Sequence, residues 1–368
     1  MKKNRITALV LALVMLFALA SCSTGGAPAT APDNDADETY TLIYNYCYSE
    51  AIGPGQFALQ AAESVAERSN GRLTVECYFN GTLLSLRDSL TGCINGVADM
   101  IFIDATMLSE GFVLNNVYSL PYLSTPPGKA ATDRAYGQLI KDCPELAEEM
   151  ASVGVMWLAV CTIGGYHLYA TEVLDSPKKL GGKTIEGIGE GGNIINAAGG
   201  NGVVLDAGDF YMSLSTGLLD GILVMIGELT AFGLYDIVDK HMIFSNSTDI
   251  QNYDEMWGGG LYSPAMGVIM NIDSFNKLPA DLQQIVLEEY GKYQQITTTL
   301  DAPTIITPTI DFITERGDEV IFINNDARQE WASNFDPILE NWYGRCDAAG
   351  YDGRVVYNRL LELFNEYA

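Results

Sequence analysis

Two incompatible periodicities alternate between residues 41 and 103, and this alternation restricts the fold more than any other feature of the chain. Residues 41–48 (TLIYNYCY) set Leu42, Tyr44, Tyr46 and Tyr48 on one side, the period of a strand. Residues 56–69 then gather Ala58, Ala61, Ala62, Val65 and Ala66 on one helical face and stop at Asn70-Gly71. A strand at 73–79 (LTVECYF), a turn at Asn80-Gly81, a short helix at 86–94 and a buried strand at 98–103 (ADMIFI) complete a β-α-β-α-β order. Such an order predicts an open, mainly parallel α/β sheet.

Residues 136–153 read as one helix, and Val155–Thr162 as a strand leading to Gly164-Gly165, where the chain is expected to cross into a second domain. That domain opens with a strand at 166–170 and a turn at Asp175-Ser176-Pro177. Strands follow at 203–205 and 222–225, around a helix at 209–215. Ala265–Asn271 is expected to return to the first domain, and 281–290 starts a helix. From 294 onward the pattern is mostly helical, broken at 317–323 and near Gly344. The expected division is 39–163 with about 252–290 as domain I, and 164–251 with about 291–368, the C-terminal helices included, as domain II.

The N-terminus carries an address. Lys2, Lys3 and Arg5 precede an apolar run at 6–18, shorter than the roughly 20 residues a bilayer needs but suited to a signal peptide. Leu19-Ala20-Ser21-Cys22 resembles a lipobox, so 1–21 reads as a lipoprotein signal and Cys22 as the lipidated residue. Residues 22–38, rich in Ala, Pro, Gly and Asp, read as a flexible tether. The folded body is thus expected outside the cytoplasm, held to the membrane only by lipid.

A net charge of −27 opposes binding to nucleic acid, whose phosphates it repels. The six cysteines after Cys22 match no zinc or redox spacing, so neither metal nor cofactor is expected. With only His167 and His241, and no G-x-S-x-G, H-E-x-x-H or C-x-x-C, the chain is not read as an enzyme.

Two segments carry a family resemblance: SPKKLGGKTI from Ser176 and DFYMSLSTGLLDG from Asp209, following AERSNGRL, NGTLLSL and GVADMIF in that order. Over residues 40–345 the chain resembles the DctP-like solute-binding proteins of TRAP-type (tripartite ATP-independent periplasmic) transporters. The resemblance implies a two-lobed α/β periplasmic-binding-protein-like fold with a hinge cleft and long C-terminal helices. It also implies a small-molecule solute, delivered to small and large integral-membrane subunits driven by an ion gradient. The family's carboxylate-gripping arginine falls at Glu186, its second basic position at His167, its asparagine at Val224 and an aromatic at Ala207. Asp104 falls where some members place an acidic pocket residue.

The candidate ligand residues are therefore Glu186, Asp104, His167 and Asp206, with Tyr46, Tyr211 and Trp257 among the aromatics able to wall a cation. Glu for Arg reverses the local charge, which favours a cationic or neutral polar solute. Three alternatives stand beside this. Glu186 could face solvent or pair with Lys183 or Lys179. A carboxylate (a C4-dicarboxylate or sugar acid) could be held by Arg87, by Lys183 or by helix N–H groups at 190–194. The protein could also be a receptor feeding a sensor kinase.

Overall fold

The structure is a computed structural model that describes residues 38–51, 53–104, 111–121, 128–162, 164–205, 207–252, 259–295 and 306–367. Signal peptide, Cys22 and nearly all of the tether lie outside these residues. The chain divides into Met1–Glu38 and a compact unit, Thr39–Ala368, which holds every strand and helix described below.

The strands are β1 Tyr40–Asn45, β2 Leu73–Tyr78, β3 Met100–Asp104, β4 Val155–Thr162, β5 His167–Ala170, β6 Thr184–Gly187, β7 Asn201–Val203, β8 Gly221–Val224, β9 Lys240–Ile243, β10 Ala265–Asn271 and β11 Glu319–Phe322. The helices are α1 Gly53–Arg68, α2 Leu86–Ile94, α3 Lys129–Asp142, α4 Pro144–Ser152, α5 Glu190–Ala197, α6 Phe210–Ser215 and α7 Ile226–Ala231. They continue with α8 Ile272–Asn276, α9 Ala280–Gly291, α10 Thr307–Arg316, α11 Asn325–Ala332, α12 Asp336–Ala349 and α13 Gly353–Glu366.

One sheet has the order β2-β1-β3-β10-β4 and the other β11-β9-β5-β8-β6-β7. In the first, β1 runs parallel to β2 and β3, while β10 returns antiparallel between β3 and β4. The return strand expected at Ala265–Asn271 is there with those bounds. In the second, β6 is parallel to β7 and β8, and β5 is antiparallel to β8 and β9.

Alternation of side chains sorts the core into layers. On β3, Met100 and Phe102 face a layer with Phe57, Ala58 and Val65 of α1, whereas Ile101 and Ile103 face a layer with Leu139 of α3 and Met150 of α4. Both faces of that strand are buried, which explains its unbroken apolar run. In the second sheet Leu168, Ile185 and Leu223 join the α1 layer, while Tyr169, Ile222 and Val224 face a third layer with α6, α7 and α10. The α1 layer is therefore continuous from one sheet to the other.

The helix expected over 136–153 is two helices. Pro144 has no N–H to donate and restrains Cys143 (φ −122°, ψ 79°), so α3 ends and α4 begins with proline in its first turn. The strand expected at 203–205 lies two residues earlier, because Gly202 pairs with Ile185 and approaches Gly192 too closely for any Cβ. The break at 317–323 holds a strand, β11, parallel to β9. The last helices, read from sequence as part of domain II, pack instead on the first sheet's α3–α4 layer through Trp342, Tyr343, Leu360 and Phe364. Trp342 Nε1 donates to Val113 O at 2.7 Å and Tyr357 Oη to Pro121 O at 2.9 Å, so these polar tips fix the helices to the loops after β3.

Candidate functional site

Two segments cross between the sheets, one joining β4 to β5 and one leading into β10. Tyr166 N donates to Tyr262 O (2.9 Å), Leu261 N donates to Tyr166 O (2.8 Å), and the two tyrosine rings lie 4.7 Å apart. The backbones meet so closely that a Cβ on Gly165 would stand 2.6 Å from Gly259 O, and one on Gly260 would stand 2.5 Å from Gly165 Cα. Gly260 also has φ +81°, a conformation that favours glycine. On the second-sheet side Arg328, fully buried, donates to Gly260 O (2.5 Å) and Leu261 O (2.7 Å). On the first-sheet side the Thr162 and Ser263 hydroxyls bond each other, and Ser263 Oγ donates to Gly164 O at 2.8 Å.

Carboxylates gather beside this junction. On β6, Ile185 turns into the core with Ile194 and Ile195, so Glu186 turns to the opposite face. Glu186 is 0% exposed, and neither carboxyl oxygen has a hydrogen-bond partner among the described residues. Glu228 stands in the first turn of α7 and accepts from Met225 N at 3.0 Å, closing a helix cap directly after β8. Asp104 ends β3 in the other sheet, paired in register with Met266.

These groups feel one another. Burial first, and then the negative charge of Glu228, push the Glu186 carboxyl from 4.5 up to about 9. Burial likewise raises Glu228 to about 7, against the Met225 N–H and with help from Asp104. Tyr262 and Tyr166 are raised well above 10.0, mainly by burial and then by Asp104 and the glutamates. The charges acting on Glu186 and Glu228 are all negative among the described residues. A buried carboxyl without a partner costs about 1–3 kcal/mol or more, so this cluster reads as a functional feature rather than a stabilising one.

The other sequence candidates have varied placements. His167 is 2% exposed and its Nδ1 accepts from Phe244 N at 3.1 Å, a bond that holds β5 to the end of β9. Tyr46 is core, edge-on to Phe102 at 5.3 Å. Tyr211 is 44% exposed on α6, where its neighbour Phe210 takes the buried side. Val224 is fully buried in the layer under α7. Asp206 and Trp257 lie outside the described residues. Lys183, a candidate relocated cation, is engaged by Glu172 and by Asp220 (3.5 Å). Glu228 was not singled out by sequence reasoning; the signal available was a glutamate four residues beyond the end of the buried strand β8.

A cavity of about 400 Å³ lies elsewhere, along α3 and β4, lined by Arg134, Lys141, Trp157 and Tyr367, and contains none of these carboxylates. Among the described residues no group of His, Cys, Asp and Glu is arranged to hold a metal, and no helix is long and apolar enough to cross a membrane.

Comparison with known proteins agrees with this architecture. Residues 52–345 match the family "Bacterial extracellular solute-binding protein, family 7" (DctP). A "Solute-binding protein" of Chromohalobacter salexigens is 24% identical over 195 residues, 52% of this chain, which spans only 56% of that relative's length. The "Monocarboxylate 2-oxoacid-binding periplasmic protein" of a Nostoc species is 23% identical over 323 residues, covering 80% of this chain and 81% of that protein. A marine-metagenome TRAP solute-binding protein specific for aromatic acid ligands, solved with 3-hydroxybenzoate, superposes with a TM-score of 0.74 at 18% identity, covering 90% of this chain and 99% of the other.

Proposed function

The chain belongs to family 7 of the bacterial extracellular solute-binding proteins, and on that premise we propose that it captures a small organic cation for a TRAP-type secondary transporter. In this reading Glu186, Glu228 and Asp104 hold an ammonium group at the junction of the two sheets, and Tyr166 and Tyr262 flank it. The lobes built on those sheets close about the crossing segments, and the loaded protein presents its solute to small and large membrane subunits. The body is extracytoplasmic, tethered by a lipid on Cys22. Its task is binding rather than bond-breaking.

One observation carries the solute class: Glu228 presses a like charge on Glu186, and no cation among the described residues offsets it. Two unit charges about 4 Å apart interact by about 4 kcal/mol at an effective dielectric near 20. A carboxylate solute beside ionised Glu228 would meet a repulsion of that size; an ammonium would meet an attraction. The named relatives are described as binding 2-oxoacids and aromatic acids, so the reading departs from them in charge while keeping their scaffold. A second reading has support from the same group. A Glu186 carboxyl that keeps its proton can donate a hydrogen bond to a carboxylate or a hydroxyl.

A thermal-shift screen separates the two. Tyramine, putrescine and choline are compared with xylitol, glucuronate, pyruvate and benzoate, on wild type and on Glu228→Gln. Stabilisation by an amine, weakened in the variant, is expected. A ligand at a hundredfold excess over its dissociation constant adds about 2.7 kcal/mol. Stabilisation by carboxylates alone would overturn the cationic solute.

A further inference from the structure

We infer that capture of the cation expels the proton of the Glu186 carboxyl, so that one cation entering is exchanged for about one proton leaving. The inference rests on the reading of the carboxylate cluster as the cation site. It goes beyond that reading by assigning Glu186 a different chemical state before and after binding.

Geometry sets the starting state. Glu186 is fully buried, and both its oxygens lack a partner among the described residues. An ionised carboxylate so placed is out of contact with bulk solvent and has no donor among the described residues, which favours the neutral acid. Its surroundings reinforce this from every side. The charge of Glu228 on α7 acts on it, and Asp104 of β3 acts on Glu228 in turn. The Tyr262 phenol couples to it from the crossing segment, yet that hydroxyl is already spent on Ile188 O at 2.7 Å. Tyr169, across the sheet on β5, has a buried hydroxyl with no partner among the described residues and feels Glu228. Glu190 at the start of α5 couples to Tyr262 and has Arg345 at 4.0 Å, so that guanidinium is already turned to another acid.

An ammonium arriving here supplies the missing donors and the missing positive charge together. The Glu186 O–H bond breaks, its proton passes to the solvent, and the carboxylate is left against the positive charge of the cation, hydrogen-bonded to its N–H groups where it carries them. No oxidant or second reactant is involved, and net charge in the site is conserved. The exchange couples binding to pH. At pH 8 Glu228 is largely ionised and Glu186 is not, so affinity there rises about tenfold per pH unit until Glu186 ionises in the free protein.

Isothermal titration of tyramine, putrescine and choline at pH 8, in phosphate and in Tris, reads the proton directly. Choline has no ammonium proton of its own, so any proton it releases comes from the protein. The expected result is a binding heat that differs between the buffers by about the difference of their ionisation enthalpies in wild type and not in Glu186→Gln. Equal heats in both buffers for an amine that binds would overturn the exchange and leave the cationic solute standing. If no amine binds, the solute reading fails. The exchange is then judged on the free protein by infrared spectroscopy at pH 8. A protonated-carboxyl band lost in Glu186→Gln keeps the neutral Glu186, and absence of that band removes it.

Discussion

Glu228 of α7 accepts the amide of Met225 at 3.0 Å and from that position presses a like charge on Glu186, a residue of β6 with no donor among the described residues. A helix cap that would ordinarily only start α7 thus also adds, after burial, to the rise of the Glu186 carboxyl.

Glu186 makes the fold sensitive to base. The native carboxyl holds its proton to about 9, whereas the unfolded chain releases it near 4.5. Between those values the native state binds more protons, so stability falls as pH rises, by up to about 1.4 kcal/mol per unit. Glu186→Gln is expected to flatten this slope. Urea midpoints at pH 5, 7 and 9 check it; parallel profiles for variant and wild type would count against a protonated Glu186.

Asp318 acts in the opposite direction. Burial would raise its carboxyl, but Arg316 (2.5 Å to Nε) and His241 (2.8 Å to Nε2) outweigh burial and hold it below 3.8. The native state therefore binds this proton less readily than the unfolded one. The contribution is present above 3.8 and is lost as pH falls through the lower native value. Asp318→Asn is expected to cost about 1–3 kcal/mol at pH 7, with the gap to wild type narrowing in acid. A gap that stays constant in acid would show that the loss is steric.

Arg328 ties α11 to the crossing segment through the carbonyls of Gly260 and Leu261, and its guanidinium lies 5.9 Å over the Phe244 ring. Methionine fills much of the space but leaves those carbonyls without their donor. Arg328→Met should destabilise the protein by about 2 kcal/mol or more. Amide exchange at Leu261 and Tyr166 should quicken more than exchange in β3. Uniform quickening through both sheets would argue against a local clamp.

Glu149 is buried on α4 and receives Leu114 N, Asn115 N and Asn115 Nδ2, each at 2.8 Å. These bonds organise the loop on which Trp342 docks. Glu149→Ala is expected to lose about 2–4 kcal/mol, because two buried backbone N–H groups lose their acceptor and Asn115 Nδ2 keeps only Leu146 O. Trp342 fluorescence should shift as its contact at Val113 loosens; an unchanged emission spectrum would separate that loop from Glu149.

Local chemistry explains which parts of this structure were legible in the sequence. Strand periods, the Asn-Gly turns and the Ala-rich face of α1 are written in nearest neighbours, so the first sheet and the return strand could be read directly. The division of the C-terminal helices could not, because Trp342 and Phe364 are equally apolar against either sheet. At the site, Glu186 and Asp104 were accessible as charges at strand ends. Glu228 was not, since a glutamate in a first helical turn is usually only a cap. His167 and Tyr46 are polar or aromatic side chains used in holding strands together, and only their three-dimensional partners distinguish that use from recognition.

Gly165 and Gly260 each occupy the volume the other would need for a side chain. Divergence at this crossing is therefore not open to either position singly. A descendant carrying alanine at one would have to move the backbone of the other, and with it the Tyr166–Tyr262 pair that adjoins the carboxylates. Substitution at residues such as Glu186 and Glu228 meets no such backbone constraint, whereas the two glycines between the sheets can change only together with the path of the chain.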